Sequence, residues 1–476
     1  MVKNKGGQSR RFIKNSIIFL IGSTLSKVVT FFLLPLYTKY IPPDAFGYYD
    51  LSITYSTVAT SLLFFDIWIT TMRYMYDEDN IKWRHKVVAS GYSIFTASSL
   101  LMLLAYVILS YAIEIKYIFL IFGYAISLNL HNMFTYPARG FGRNLEFAIS
   151  GILNTLVNVL SNIVLIIWLN VDFSALYISA IIGNIAQSLY LEMKIGIVRN
   201  IGIKKLDFSL VKKMLIYTLP LSINSVAYWL LTGFNKIIIN NVLTAEYNGY
   251  YAIGHKFGYA ITLVTSCFTF AWQDLSFSRS ADDESNGKYY SKACRLYMLF
   301  LGLGIVVMMP GFNVIFPLFV DESYAIAKTT IPLFLITATI SAYSNFIGNI
   351  FYALKDTKTL FISMIVSCLV NLGLCYPFIL LWGLNGANLS IIISFIINIA
   401  IRSVILNKKI RFSLDIKLLL LIVLGILMTL AVYYRGNSIL NIIWFVIVVA
   451  LSAFILRDYI KTILLGFFKR KKDMPR

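Results

Sequence analysis

Apolar stretches of twenty residues or more recur from Ile17 almost to the end of the chain, separated by short segments rich in charge, Gly, Pro and Asn. Roughly 20 apolar helical residues cross the hydrocarbon core of a bilayer. On that measure the pattern predicts fourteen spans, at 15–40, 46–71, 87–110, 113–134, 147–169, 173–195, 215–240, 247–273, 294–319, 328–351, 359–381, 386–406, 416–434 and 438–464. The first stretch is preceded by Lys3, Lys5, Arg10, Arg11 and Lys14, but it runs on to Tyr40 and others follow it. It therefore reads as a span and not as a cleaved signal peptide. The longest connections, after the sixth and the eighth spans, are about twenty residues. The expected fold is an all-α polytopic membrane protein without an extramembrane domain.

Composition sharpens this. Of 476 residues 58% are apolar and only 13% charged, about half the charged share of a soluble domain, which excludes a soluble enzyme. The charges are lopsided: 42 basic residues stand against 22 acidic ones, for a net charge of +20. With the N-terminus inside, the cytoplasmic segments hold five basic residues in the N-terminal tail, four at 73–86, two at 139–143 and six at 194–213. They hold four more at 279–295, two at 355–358, five at 402–417 and seven from Arg457 onward, together 35 of the 42. An excess of Lys and Arg in short inner loops sets orientation, so both termini are expected in the cytoplasm. Trp68 and Trp272 near inner ends, and Trp168 and Trp382 near outer ends, are expected interfacial anchors, with Trp229 an exception deep in a span. Positive charge spread over eight segments forms no nucleic-acid footprint. Cys267, Cys294, Cys368 and Cys375 have no spacing that suggests a disulfide framework or a metal site.

An internal echo divides the chain. Ala45-Phe46-Gly47-Tyr48-Tyr49 after the first span matches Tyr247-Asn248-Gly249-Tyr250-Tyr251 after the seventh, and Leu156-Val157-Asn158 in the fifth matches Leu369-Val370-Asn371 in the eleventh. Two six-helix bundles follow, 1–205 and 206–410, with 411–476 adding the last two spans and a basic cytoplasmic tail. Repeats with the site between them are a recurrent transporter plan.

The wording LPLYTKYIPPDAFGYYDL at 34–51 resembles the opening of the polysaccharide-biosynthesis (Wzx-type) flippases of the multidrug/oligosaccharidyl-lipid/polysaccharide exporter superfamily. Leu219-Pro220 through Asn235 to Gly249-Tyr250-Tyr251 and Lys256 is similar to the start of that family's second half. Ile315 to Phe319 with Tyr324, Tyr352 to Lys355 with Lys358, and Gly383 to Ala387 resemble its later segments. The resemblance implies two six-helix bundles around a central cavity and movement of polyprenyl-pyrophosphate-linked sugar units from the inner to the outer leaflet by alternating access. It implies a bacterial plasma membrane location, an undecaprenyl-pyrophosphate-linked glycan and membrane lipids as partners, and polysaccharide polymerase or assembly proteins beside them. By the same analogy, spans 13 and 14 are a place for the lipid tail.

The intramembrane polar residues supply site candidates, because a charge in a span normally faces a bundle interior or a water-filled cavity. Lys27 shares a stripe with Ser16, Ser23 and Thr30. In the seventh span Asn224, Tyr228 and Asn235 share a stripe beside Ser225, Thr232 and Lys236; it suits either sugar hydroxyls and rings or helix packing. In the eighth, Tyr251, His255, Tyr259, Thr262, Ser266, Thr269 and Gln273 make the longest polar stripe, with Lys256 beside it. A pyrophosphate crossing hydrocarbon needs cationic partners, so Lys27, Lys236 and Lys256 are the expected cationic lining. Asp66 and Asp274 are acids well inside spans. Asp66 and Arg73, seven apart, are either a helix-surface pair or a gate or coupling element, and Arg279 stands at the inner mouth.

No Walker A, HExxH or GxSxG motif is present. Asp77-Glu78-Asp79 reads as a solvated turn rather than a glycosyltransferase metal motif. No cofactor and no catalytic or metal residue is expected, while coupling to protons, sodium or the membrane potential stays open. The alternatives are a cation-coupled small-molecule (MATE-like) exporter, a lipid II-type flippase and, from the enzyme class, a membrane glycan polymerase or transferase.

Overall fold

The computed structural model describes residues 31–199, 207–277, 285–354, 356–435 and 437–472. Among them the chain is helical, without a strand. The helices are α1 (Leu34–Tyr40), α2 (Pro43–Phe64), α3 (Ile67–Tyr74), α4 (Ile81–Ala112), α5 (Ile118–Gly140), α6 (Asn144–Ile163), α7 (Ser174–Ile195), α8 (Phe208–Thr232), α9 (Phe234–Val242) and α10 (Ala245–Phe277). They continue with α11 (Ser285–Phe319), α12 (Ile331–Ala353), α13 (Thr357–Ile410), α14 (Ile416–Tyr434) and α15 (Ser438–Lys472). Nine of the described helices are long and apolar enough to cross a membrane, and α2 with α3 forms one further, bent span. This is a multi-pass membrane protein. The first predicted span lies mostly outside the described residues.

Helix ends follow local chemistry. Pro43 opens α2, where a missing N–H costs nothing. Asn80 caps α4 by accepting from the Lys82 amide at 2.9 Å. Asp207 caps α8 through the Ser209 and Leu210 amides, and Lys86 beside it holds the Asp207 carboxyl below its ordinary range. The span predicted at 46–71 is broken: Phe65 and Asp66 both take left-handed backbone angles, and α3 leaves α2 at 46°. The span predicted at 215–240 is divided at Gly233 into α8 and α9.

The spans predicted at 359–381 and 386–406 are the two limbs of α13. Gly383, with φ 56° and ψ −135°, interrupts it in a region that glycine enters at no steric cost. A continuous helix would put Phe378 and Gly386 about 12 Å apart along its axis. Instead a Cβ on Gly386 would stand 1.9 Å from the Phe378 carbonyl oxygen, so the chain turns back on itself there.

The chain forms two compact units. One comprises Met1–Ile253 with Met364–Ile391, and the other Gly254–Ser363 with Ile392–Arg476. In the first, Phe64, Ile67, Trp68, Val87, Phe95, Met102 and Met133 make an apolar core from α2 to α5. The outer faces are apolar as well: Leu420, Leu421, Leu424 and Leu427 on α14 are exposed, as befits lipid contact. Trp168 and Trp382 are exposed. Trp68 and Trp272 are not surface anchors. Trp68 is buried, and Trp272 donates to the Phe346 carbonyl at 3.0 Å and stacks on the Phe346 ring at 4.2 Å. Cys294, Cys368 and Cys375 are buried free thiols.

Candidate functional site

The polar residues of the first unit divide into contacts that close on themselves and contacts that stay open. Lys236 belongs to the second kind. It sits on α9 one turn beyond the break at Gly233, which re-aims the helix, and its ammonium lies 2.7 Å from Asp50 Oδ2 on α2. It also lies 3.3 Å from Thr54 Oγ1, one turn further along α2. The contact with Asp50 is out of line for a hydrogen bond, so charge holds the pair. The side chains of Lys236 and Asp50 remain 14% and 24% exposed.

The neighbouring residue is of the first kind. Asn235 is fully buried; its amide donates to the Ala387 carbonyl at 2.7 Å and to Ser390 Oγ at 3.1 Å, and its oxygen accepts from Asn371 at 2.9 Å. Asn371 also donates to the Leu231 carbonyl at 3.0 Å and accepts from Ser390 at 2.8 Å. Asn235 is therefore a helix-packing residue and not part of a cavity wall. Its partners come from both limbs of α13, Asn371 before the turn at Gly383 and Ala387 and Ser390 after it, a fold the sequence pattern does not reveal. Tyr251 is likewise buried, with its hydroxyl 3.4 Å from Asn388 Oδ1.

Tyr228 and Tyr259, by contrast, are about half exposed. His255 is half-buried, its ring 4.8 Å from that of Tyr259 and 5.4 Å from that of Phe334. Lys256 is half-buried on α10. Lys27 and Arg279 lie outside the described residues, as do the side chains of Asn224 and Asp274. Asp66 and Arg73 do not pair. The break at Phe65–Asp66 takes Asp66 off the helix that carries Arg73 and aims it at α8, where it accepts from Ser225 Oγ at 2.5 Å. Thr218 on α8 donates to the freed Phe65 carbonyl. Arg73 pairs with Asp77 at 2.6 Å, and Arg84 with Asp79 at 2.8 Å. Asp77 and Asp79 of the acidic run are thus partnered at the surface, and no group of three or more metal-ligating side chains occurs among the described residues.

Two further groupings escaped sequence reasoning. Asp50 lies at the start of a span, where an acid reads as an end residue. Arg402 was counted with the inner-loop charges but is buried: its Nε donates to Ser363 Oγ at 3.0 Å and its Nη1 to the Ser344 carbonyl and hydroxyl at 2.8 and 3.1 Å. Asn398 accepts from Ser344 at 2.7 Å and donates to the Ser363 carbonyl at 2.9 Å. The first unit holds a counterpart, in which Asn184 donates to Ser127 at 3.2 Å and Gln187 to Ser150 at 2.9 Å. Equivalent members lie 213 to 217 positions apart, close to the spacing of the Leu-Val-Asn echo.

The second unit also holds an apolar cavity of 420 Å³. Leu301 and Ile305 of α11, Ile340 of α12, Ile396 of α13, and Ile422 and Ile426 of α14 are among its walls.

Against this geometry, residues 12–273, more than half of the chain, match the model of a family described as "Polysaccharide biosynthesis protein". The chain belongs to the polysaccharide biosynthesis protein family. No curated protein matches its sequence. Among solved structures, the inward closed conformation of the lipid II flippase MurJ superposes with a TM-score of 0.69 at 16% identity, covering 93% of this chain and 100% of that one. An inward-facing multidrug resistance MATE family transporter of the MOP superfamily gives 0.63 at 12% identity, with 84% and 99% covered. A point mutant of the Vibrio cholerae MATE transporter VcmN gives 0.54 at 12% identity, with 85% and 98% covered. The family member described here therefore has the fold of the MurJ and MATE transporters.

Proposed function

We propose that this protein is a flippase that carries polyprenyl-pyrophosphate-linked oligosaccharide units from the inner to the outer leaflet of the bacterial plasma membrane by alternating access. The observation that carries the reading is Lys236: a partly exposed cation inside a helical bundle of a polysaccharide-biosynthesis family member, paired with Asp50 by charge and hydrogen-bonded to the Thr54 hydroxyl. A diphosphate diester is an anion that hydrocarbon alone would exclude, and a Lys ammonium is a point-charge partner for phosphate oxygens. The half-exposed phenols of Tyr228 and Tyr259 offer ring faces and hydroxyls to sugars. The apolar cavity beside α14 offers a polyprenyl chain a wall that is aliphatic apart from Thr339 and Tyr343.

In this reading both termini are cytoplasmic, residues 1–205 and 206–410 act as the two alternating halves, and 411–476 adds the lipid-facing pair of spans. Lys27 and Lys256 complete the cationic lining, while Asp66, Arg73, Asp274 and Arg279 lie towards the cytoplasmic gate. A lipid II-type flippase differs only in the head group carried, and the likeness to MurJ favours it as the second reading.

Depletion separates the readings. Mass spectrometry of membrane lipids should find intact diphosphate-linked sugar units accumulating on the inner leaflet, with the head group naming the glycan. Drug sensitivity without such accumulation would support an exporter, and a unit lacking its last sugar a transferase. Lys236→Met at normal expression should reproduce the depletion phenotype; unchanged export would remove Lys236 from the site.

A further inference from the structure

Lys236 is not waiting uncompensated. A lone ammonium in a span costs a few kcal/mol, and Asp50 offsets that cost at 2.7 Å. How it does so differs from the contacts of the residue before it. Asn235, one residue earlier, is fully enclosed and makes oriented hydrogen bonds to three residues. The Asp50–Lys236 pair lies about 100° further round the same helix; both side chains keep some exposure, although the Asp50 oxygen in contact is itself buried, and the contact is out of line. Thr54 takes a further weak donation from the ammonium at 3.3 Å, so the lysine keeps part of its coordination when Asp50 lets go. A pair built only to hold α2 against α9 would gain from burial and aligned geometry, because exposed, unaligned pairs contribute little to stability. An exchangeable pair needs access and a partner that can leave.

We propose that Asp50 is an internal counter-anion for the substrate site: it occupies Lys236 in the empty protein, and the diphosphate of the substrate displaces it. This rests on the reading of Lys236 as the phosphate partner and adds the group that competes there. Two consequences follow from one carboxylate. The empty protein carries no net charge at this point of the bundle, so resetting does not strand a bare cation in the membrane. The substrate binds more weakly than an unoccupied lysine would allow, because it must separate an existing pair, and Asp50 speeds its release by taking the lysine back. Asp50 touches no reacting atom; it acts through Lys236.

A double-mutant cycle isolates the competition. The probe is an undecaprenyl diphosphate diester of one sugar, fully ionised throughout the neutral range, and the protein is the full chain in lipid nanodiscs. Asp50→Asn should tighten binding about tenfold, a change of about 1.4 kcal/mol, and should slow flipping per molecule. Lys236→Met should weaken binding, and in that background Asp50→Asn should change nothing. Asp50→Glu, which keeps the charge, should bind as the wild type does, and Asp50→Ser repeats the test should the asparagine variant not fold. Weaker or unchanged binding by the Asp50 variants, with Lys236→Met still defective, would overturn the counter-anion and leave the lysine site standing. Wild-type affinity in Lys236→Met would instead remove the lysine reading itself.

Discussion

Gly47 and Gly249 hold each other's helix at backbone distance, and they do so reciprocally. A Cβ on Gly47 would stand 1.8 Å from the Ala245 carbonyl oxygen, and a Cβ on Gly249 would stand 2.0 Å from that of Pro43. The two glycines are 202 positions apart in the sequence, and so are the two residues, Pro43 and Ala245, whose carbonyls they meet. Residue i of one copy thus meets residue j of the other while j meets i, the signature of a two-fold contact. Asn248 reinforces it by donating to the Gly47 carbonyl at 3.4 Å. The AFGYY and YNGYY segments are therefore not just repeated; they pack against one another.

Gly47→Ala and Gly249→Ala should each be strongly destabilising, by about 2–3 kcal/mol or more, because the atom that must move is backbone and not a flexible side chain. Thermal unfolding of the detergent-solubilised protein measures this. Comparable losses are expected from the two, and a large loss from one with tolerance of the other would contradict the two-fold contact.

The Asn371 cluster predicts a separation of stability from transport. Asn371→Leu removes the hydrogen bonds to Leu231, Asn235 and Ser390 and should cost about 1–2 kcal/mol, the scale of polar contacts between membrane helices. Because the cluster is enclosed, flipping per folded molecule should stay near the wild-type value. A transport defect in fully stable protein would return Asn235 to the cavity wall and add Asn371 to it.

Arg402 predicts a contrast between two substitutions. Gln187 fills the corresponding place in the first unit with a neutral amide that reaches Ser150. Arg402→Gln should accordingly fold and keep most of the wild-type stability. Arg402→Leu, which leaves Ser344 and Ser363 without their donor, should lose about 1–3 kcal/mol. Melting temperatures of the two variants decide it, and equal loss in both would show that the guanidinium charge itself is required.

Asp356 gives a pH dependence. Lys409 donates to it at 2.5 Å, and the Thr359 hydroxyl at 2.6 Å, which pulls its carboxyl down to about 2. The two contacts tie the start of α13 to its end. A carboxyl lowered by folding adds stability above its unfolded value of about 4, and that stability is lost as pH falls from there towards 2. Unfolding midpoints followed from pH 6 to pH 2 should drop within that window, and Asp356→Asn, which keeps the helix cap, should show a smaller drop there while losing up to about 1 kcal/mol at neutral pH with the Lys409 ion pair gone.

The presence of many apolar spans and the class of fold were legible in the sequence because a bilayer demands long apolar helices whatever they pack against. Thus 416–434 appears as α14 residue for residue. The glycine echo was legible too, since a close backbone approach admits no other residue. What one dimension could not carry was which face of a polar stripe turns inward. Asn235 and Lys236 are neighbours in one stripe, yet the first is closed off by a limb of α13 more than 130 residues away and the second stays open beside Asp50. Asp66 parted from Arg73 because two residues adopt left-handed angles that nothing in their side chains demands. Apolar periodicity by itself determined where the chain crosses the membrane. Only the tertiary structure decided which polar groups satisfy one another and which remain available to a substrate, because hydrogen bonds and charges are settled by partners that the fold brings together from distant parts of the chain.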